Sequence, residues 1–215
     1  MNLHTDLSLP ALVHAGRLPW VPSPASGVER RMLFRLGMEQ AVATSIVRYA
    51  AASSFPSHSH PRGEEFLVLE GTFEDEYGHY PVGSYVRNPP GSAHFPRSRE
   101  GCVIFVRLRQ FREEDKQSVA DLPPLPAGDG SPFMPRILFE GRDEQVAIRK
   151  WEPHAAAALP TDGGLEVLVL EGGLSACGDM LERWSWLRLP PGRTLTGMAG
   201  PDGCVAWIKT AASRR

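Results

Sequence analysis

Cysteine is scarce. The chain of 215 residues has three, Cys102, Cys177 and Cys204, an odd number with no CxxC spacing. A disulfide framework and a thiolate metal knuckle are thereby disfavoured, and a reducing cytoplasm is the expected compartment. An excess of one charge is lacking too: the formal net charge is -2 and the pI is near 6.4. Nothing in that balance draws the chain to nucleic acid or to an anionic membrane, and neither is expected as a partner. No apolar run approaches the ~20 residues that a spanning helix needs. The opening "MNLHTDLSLPALVHAGRLPW" is interrupted by Asp6 and Pro10 and lacks the basic-then-apolar order of a signal peptide. Amphipathic stretches of helical length are missing as well. What is plentiful is punctuation: 21 Gly and 20 Pro suit an all-β protein with many turns.

The chain writes much of its text twice. "RMLF" (31–34) returns as "RILF" (136–139), and Glu39-Gln40 returns as Glu144-Gln145. "GEEFLVLEG" (63–71) returns as "GLEVLVLEG" (164–172), "VRNPPG" (86–91) as "LRLPPG" (187–192), and "EGCVIFVRL" (100–108) as "DGCVAWIKT" (202–210). Order is kept and the offsets stay between 101 and 105 residues, which points to a tandem duplication. Four segments follow: an extended arm over 1–30, a first copy over 31–111, a Pro/Gly-rich linker over 112–135 and a second copy over 136–211. Within a copy, "TSIVRYA", "EFLVLEG", "GSYVRN" and "CVIFVRL" read as strands divided by turns, so each copy is expected to be a small antiparallel barrel or jelly roll.

One polar group occurs in the first copy alone. In "HSHPRGEEFLVLEG" (58–71), strand alternation sends His58 and His60 to one side. Glu64 follows a Pro-Arg-Gly turn, and an antiparallel return would set it beside the two imidazoles. Of the other histidines, His4 and His14 fall in the arm, His79 in a hairpin tip and His154 in the second copy; His94 ends "NPPGSAH" after a Pro-Gly turn. A single histidine near a turn is usually just solvated. HxHxxxE followed by a strand, a turn and PxGxxH is a much narrower pattern, and it predicts a cation site.

These two stretches resemble the two motifs of the cupin superfamily, G-x5-HxH-x3/4-E-x6-G and G-x5-PxG-x2-H-x3-N. His58, His60, Glu64 and Gly71 match the first; Gly83, Pro89, Gly91 and His94 match the second. Ala52 stands where the leading Gly is expected and Ser98 where the closing Asn is expected. More narrowly, residues 31–110 resemble the cupin domain of the ChrR group, which includes zinc-binding anti-sigma regulators and stand-alone cupins. The resemblance implies a bicupin, two tandem jelly-roll β-barrels, with one divalent metal held by His58, His60, Glu64 and His94. It does not carry sigma-factor binding, because the separate His/Cys zinc module of those regulators has no counterpart in the cysteine-free arm.

In the second copy Leu165 replaces Glu64 and Leu195 replaces His94, while "LPTDGG" stands shortened where "FPSHSHPRG" does. That barrel is expected to hold a dry core rather than an ion. Three imidazoles and one carboxylate suit zinc, iron, manganese or nickel, with affinity falling at acid pH because imidazoles bind when neutral. A six-coordinate metal would keep two positions for water, substrate or dioxygen; tetrahedral zinc would keep none. Three readings stay open: a non-haem metal-dependent dioxygenase, or a related hydrolase or isomerase, acting on a small organic substrate; a zinc-binding regulatory or sensory protein; and a small-molecule-binding or scaffold protein whose metal only stabilises the barrel. A homodimer through edge strands is a further expectation. Catalytic side chains beyond the ligands are not identified; Arg48, Tyr85 and Arg87 lie on strands near the motifs, from which they could face the pocket, but a solvent-facing position is the expectation. "FEDEYGHYP" (73–81) reads as a charged hairpin tip, and Cys102 and Cys204 as buried strand residues.

Overall fold

Short runs of β-branched and aromatic residues become antiparallel strands throughout, and the computed structural model describes residues 1–38, 40–122, 133–160 and 162–211. Glu39 of the repeated Glu-Gln pair and most of the Pro/Gly-rich part of the linker lie outside the described residues. Among the described residues helix is confined to one 3-10 turn, Ala15–Arg17, and no helix is long and apolar enough to cross a membrane. The chain divides into two compact units. The first comprises Met1–Thr5 and Pro19–Pro132; the second comprises Asp6–Leu18 and Phe133–Arg215.

In the first unit the hydrogen-bonded strand order is Val28–Leu36, Val42–Tyr49, Cys102–Leu108, Glu64–Glu74, Tyr85–Asn88, Val119–Asp121. In the second it is Arg136–Glu140, Glu144–Trp151, Leu195–Ala211, Leu165–Ala176, Ser185–Leu189, Ala11–His14. Strands from the segments expected to be an arm and a linker extend both sheets, and Asn2–Leu3, from the arm, pairs with Val28–Leu36 as the outermost strand on that side of the first. Val119–Asp121, from the linker, pairs with Tyr85–Asn88. Ala11–His14, from the arm, pairs with Ser185–Leu189 in the second unit. His14 is fixed there by Ser185 Oγ at 2.9 Å and Asp179 at 3.1 Å, and Arg17 forks onto Glu182 at 2.7 and 2.9 Å.

Period-2 alternation decides what each face carries. Phe66, Val68, Phe73, Tyr80, Val86, Ile104 and Val106 form the core of the first unit. In the second, Leu165, Leu189 and Leu195 join Val167, Val169, Leu187 and Ile208 in one apolar cluster. The residues opposite Glu64, Asn88 and His94 in the repeat are therefore packed hydrocarbon.

The other face of the first sheet corrects one expectation. Tyr85 and Arg87 are not at the surface; each is 1% exposed, as is Glu65. Tyr85 Oη and Arg87 Nη1 donate to Glu65 Oε2, and Arg107 donates to Glu65 Oε1. Arg87 also lies over the Phe111 ring at 4.2 Å. Strand position alone could not tell a solvent face from a buried polar one. The text of the repeat could have: Glu65, Arg87 and a basic residue at 107 recur as Glu166, Arg188 and Lys209. Arg48, by contrast, is part-exposed, paired with Glu29 and set over Trp20 at 4.5 Å.

Burial pushes the thiol of Cys102 up to about 11 and that of Cys204 up to about 12, whereas Cys177 is exposed. At pH 8 a disulfide reagent is therefore expected to titrate one thiol per chain in the native protein and three in denaturant. The two buried thiols should react slower by about two orders of magnitude or more, since the thiolate is the nucleophile. Two fast thiols in the native state would contradict this burial.

Candidate metal centre

The His58–His60 strand pairs with Ser92–His94 so that His94 lies directly across from His58 and Ser92 across from His60. Alternation puts Ser59 outward and both imidazoles inward. The turn that follows depends on Gly63. Its φ is +71°, and a Cβ there would lie 2.4 Å from the Phe111 ring. The turn delivers Glu64 to the head of the Glu64–Glu74 strand, across from Asn88. The second turn closes through the Gly91 N–H, which donates to the His60 carbonyl at 2.9 Å. Both motif turns thus brace the same histidine.

The result is one cluster. Ring centroids of His58, His60 and His94 are 4.9, 5.1 and 4.8 Å apart, and the donor atoms of the three histidines and Glu64 all lie within 4.8 Å of one another. Glu64 Oε1 is 3.6 Å from both His60 Nε2 and His94 Nε2. Metal–nitrogen and metal–oxygen bonds of about 2.0–2.2 Å place neighbouring donors about 3–3.5 Å apart, close to the two 3.6 Å distances from Glu64. All four side chains named from the sequence converge. Among the described residues this is the one group of three or more His, Cys, Asp or Glu so arranged.

The donors are also aimed. His58 Nδ1 is held by the Pro56 carbonyl at 3.1 Å, and His94 Nδ1 by Asp75 Oδ2 at 3.2 Å, which leaves Nε2 of each for the cluster. His60 Nε2 is buried and has no hydrogen-bond partner. A buried ring nitrogen that makes no hydrogen bond is costly unless a cation takes its lone pair. The donor set therefore fits a divalent transition metal.

Local fields prepare the imidazoles differently. Burial drives His60 below the ordinary histidine range, against the pull of Glu64, which keeps it neutral and ready to ligate. Burial acts the same way on His94, but the Asp75 hydrogen bond and the Glu64 and Asp75 charges outweigh it and raise the imidazole above that range. Burial would raise Asp75; the His94 bond and the N–H groups of Tyr77 and Gly78 hold it below the usual carboxylate range instead.

Asp75 is the functional residue the sequence reading passed over. The hairpin tip exists, with Asp75 Oδ1 accepting from Tyr77 N and Gly78 N at 2.9 and 3.0 Å. Its other oxygen turns inward to His94, and the residue is 5% exposed. Composition marks "EDE" as a solvated tip, and only the fold shows that its middle residue points to the site.

A cavity of about 560 Å³ opens beside the cluster, with His58, His60 and Glu64 in its wall. Its floor is the inward face of two neighbouring strands, Ala43, Ser45, Val47 and Tyr49 on one and Ile104, Val106 and Leu108 on the other. That volume is in the range of pockets that take small organic ligands.

Residues 9–112 match the family described as the ChrR cupin-like domain. No curated protein matches the chain. Among solved structures, the bacterial pirin YhhW of Escherichia coli in complex with nickel(II) superposes with a TM-score of 0.68 at 14% identity, covering 95% of this chain and 100% of that one. The cupin 2 conserved barrel domain protein of Leptotrichia buccalis gives 0.59 at 10% identity, covering 98% and 100%. Protein Ylba of E. coli gives 0.70 at 14%, covering 98% and 93%. At these identities the likeness is one of fold.

Proposed function

We propose, from the match of residues 9–112 to the ChrR cupin-like domain, that the chain binds one divalent transition metal through His58, His60, Glu64 and His94 and acts there as an oxygen-dependent enzyme on a small organic molecule. The observation that carries the reading is the orphaned, buried His60 Nε2 among three other converging donors, at the wall of a cavity large enough for a substrate. Nickel in the pirin YhhW complex supports a divalent ion in such a fold. When bound, the metal would supply a Lewis acid and a binding position for oxygen. The chain's own residues do the rest. Asp75 and the Pro56 carbonyl fix the two imidazoles, Asn88 Nδ2 donates to Glu64 Oε1 at 3.2 Å, and the apolar floor keeps bulk water from the reacting end of a ligand.

The repeated text and the matching strand orders support a second part of the reading, that the second unit is a duplicated barrel which has exchanged its ligands for leucine. Elemental analysis of protein purified without added metal or chelator tests the whole. About one iron, manganese or nickel per chain, with oxygen uptake on addition of substrate candidates, is the expected result. One zinc per chain with no oxygen uptake would replace the enzyme with the regulatory reading, and no metal even after reconstitution would overturn both.

A further inference from the structure

The cavity is lined by unequal charge. Arg30, Arg35 and Arg109 line it, and Glu64 is the one carboxylate among its lining residues. Glu64 belongs to the metal cluster, so no further carboxylate of the cavity's lining is left for Arg30 or Arg109. Arg35 donates to the Met38 carbonyl. Arg30 and Arg109 have no ion-pair or side-chain hydrogen-bond partner among the described residues, and Arg30 Nε is buried without one. Arg109 is held in place by its backbone: φ is +61°, and its N–H donates to the Gly63 carbonyl at 2.9 Å. A non-glycine residue in that conformation is unfavourable by about 1–2 kcal/mol and needs support from its surroundings. The residue it places here carries a free guanidinium next to the turn that positions Glu64.

Between these cations lies hydrocarbon, Val28, Val47, Tyr49, Ile104 and Val106. We propose that the cavity takes a small organic acid, an apolar body bearing a carboxylate, with the carboxylate held by Arg109 beside the Gly63 turn and the body laid along the strand floor toward Arg30. This deepens the enzymatic reading by naming the substrate class, yet the arginine contacts require no metal. A guanidinium binds a carboxylate through charge-assisted hydrogen bonds, and in a half-buried wall such bonds discriminate strongly against a neutral isostere. An apolar floor of this kind favours a carboxylate on a hydrocarbon frame over a phosphate ester, whose larger hydrated head would leave oxygens unmatched.

The test is calorimetric titration with benzoate, benzyl alcohol and phenyl phosphate. It uses the metal-loaded protein, the chelator-treated protein, Arg30→Gln, Arg109→Gln and the double variant, with metal content measured on each sample. Benzoate is expected to bind at least about tenfold more tightly than benzyl alcohol in both wild-type samples. Arg109→Gln and the double variant should lose that preference while keeping their metal, Arg30→Gln should retain most of it, and Arg109→Lys should keep part of it. Equal binding of benzoate and benzyl alcohol by the wild type overturns the proposal without any variant needing to fold. So does tighter binding of phenyl phosphate, or a benzoate preference that survives in the double variant and disappears on chelation. Absence of metal from every sample would overturn the metal reading alone, because the charge preference is read independently in the chelated protein.

Discussion

His94→Ala purified beside the wild type is expected to retain less than about a tenth of the wild-type metal per chain, while its unfolding midpoint in the chelated state changes little. Removing one of four donors leaves a three-ligand set, and it also strips Asp75 of its partner. Since apparent metal affinity combines every donor with the fixed geometry of the others, a loss of about two to three orders of magnitude in affinity is the expected scale. Asp75→Asn is the graded companion. It keeps all four donors and removes only the carboxylate that fixes His94 Nδ1, and such changes typically weaken binding by about 10–100-fold. The order wild type, then Asp75→Asn, then His94→Ala is the result that assigns Asp75 its orienting part, measured by competition with a chromogenic chelator. Metal content unchanged in His94→Ala would remove His94 from the site. Asp75→Asn binding as tightly as wild type would reduce Asp75 to a turn residue.

The largest loss of stability should come from a residue far less conspicuous than any ligand. Gly71 closes the first motif at φ +67°, and a Cβ there would sit 2.1 Å from the Gly101 carbonyl oxygen and 3.0 Å from Cys102 Cα. Both obstacles are backbone of the neighbouring strand, where Cys102 pairs with Gly71 just beyond a register shift. Neither a rotamer change nor a small tilt can relieve such an approach. Gly71→Ala is expected to destabilise the protein by about 4 kcal/mol, combining left-handed strain with a forced strand displacement. Gly91 supplies the control: its φ is +89°, but a Cβ there meets nothing within 4 Å, so Gly91→Ala should cost only the conformational part, about 1–2 kcal/mol. Denaturant midpoints of the two variants separate the causes, and a Gly71→Ala loss below about 1 kcal/mol would refute the steric account. Gly172 repeats the arrangement in the second unit, 2.2 Å from the Gly203 carbonyl oxygen.

That repetition explains why so much was legible in the sequence. Polar residues kept in one copy of the text, His58, His60, Glu64 and His94, converge on one cluster. Polar or glycine residues kept in both, Glu65 with Glu166 and Gly71 with Gly172, belong to the architecture. The strand text gave the all-β class because period-2 burial and turn residues are local properties. Three features were hidden because they depend on which strand face meets what. Tyr85 and Arg87 were read as solvent-facing and are buried on Glu65. Asp75 was read as tip charge and turns inward. Arg30 and Arg109 had no signal at all, since an unpaired arginine is defined by the carboxylates that do not reach it. Ala52, which stands where the resembled motif has its leading Gly, adopts φ +57°, a conformation that glycine meets without strain.

The Ala11–His14 strand has an implication for how the chain is made. It leaves the ribosome ahead of the Ser185–Leu189 strand it pairs with, which is synthesised about 170 residues later. At about 5–20 residues per second, that partner is absent for roughly ten to thirty seconds. During that interval the nascent arm has exposed strand edges and no place to put them, and any other growing copy on the same message offers it the same Ser185–Leu189 edge. Translation speed and polysome density therefore become determinants of how much of the protein folds as single chains and how much emerges cross-paired between neighbours.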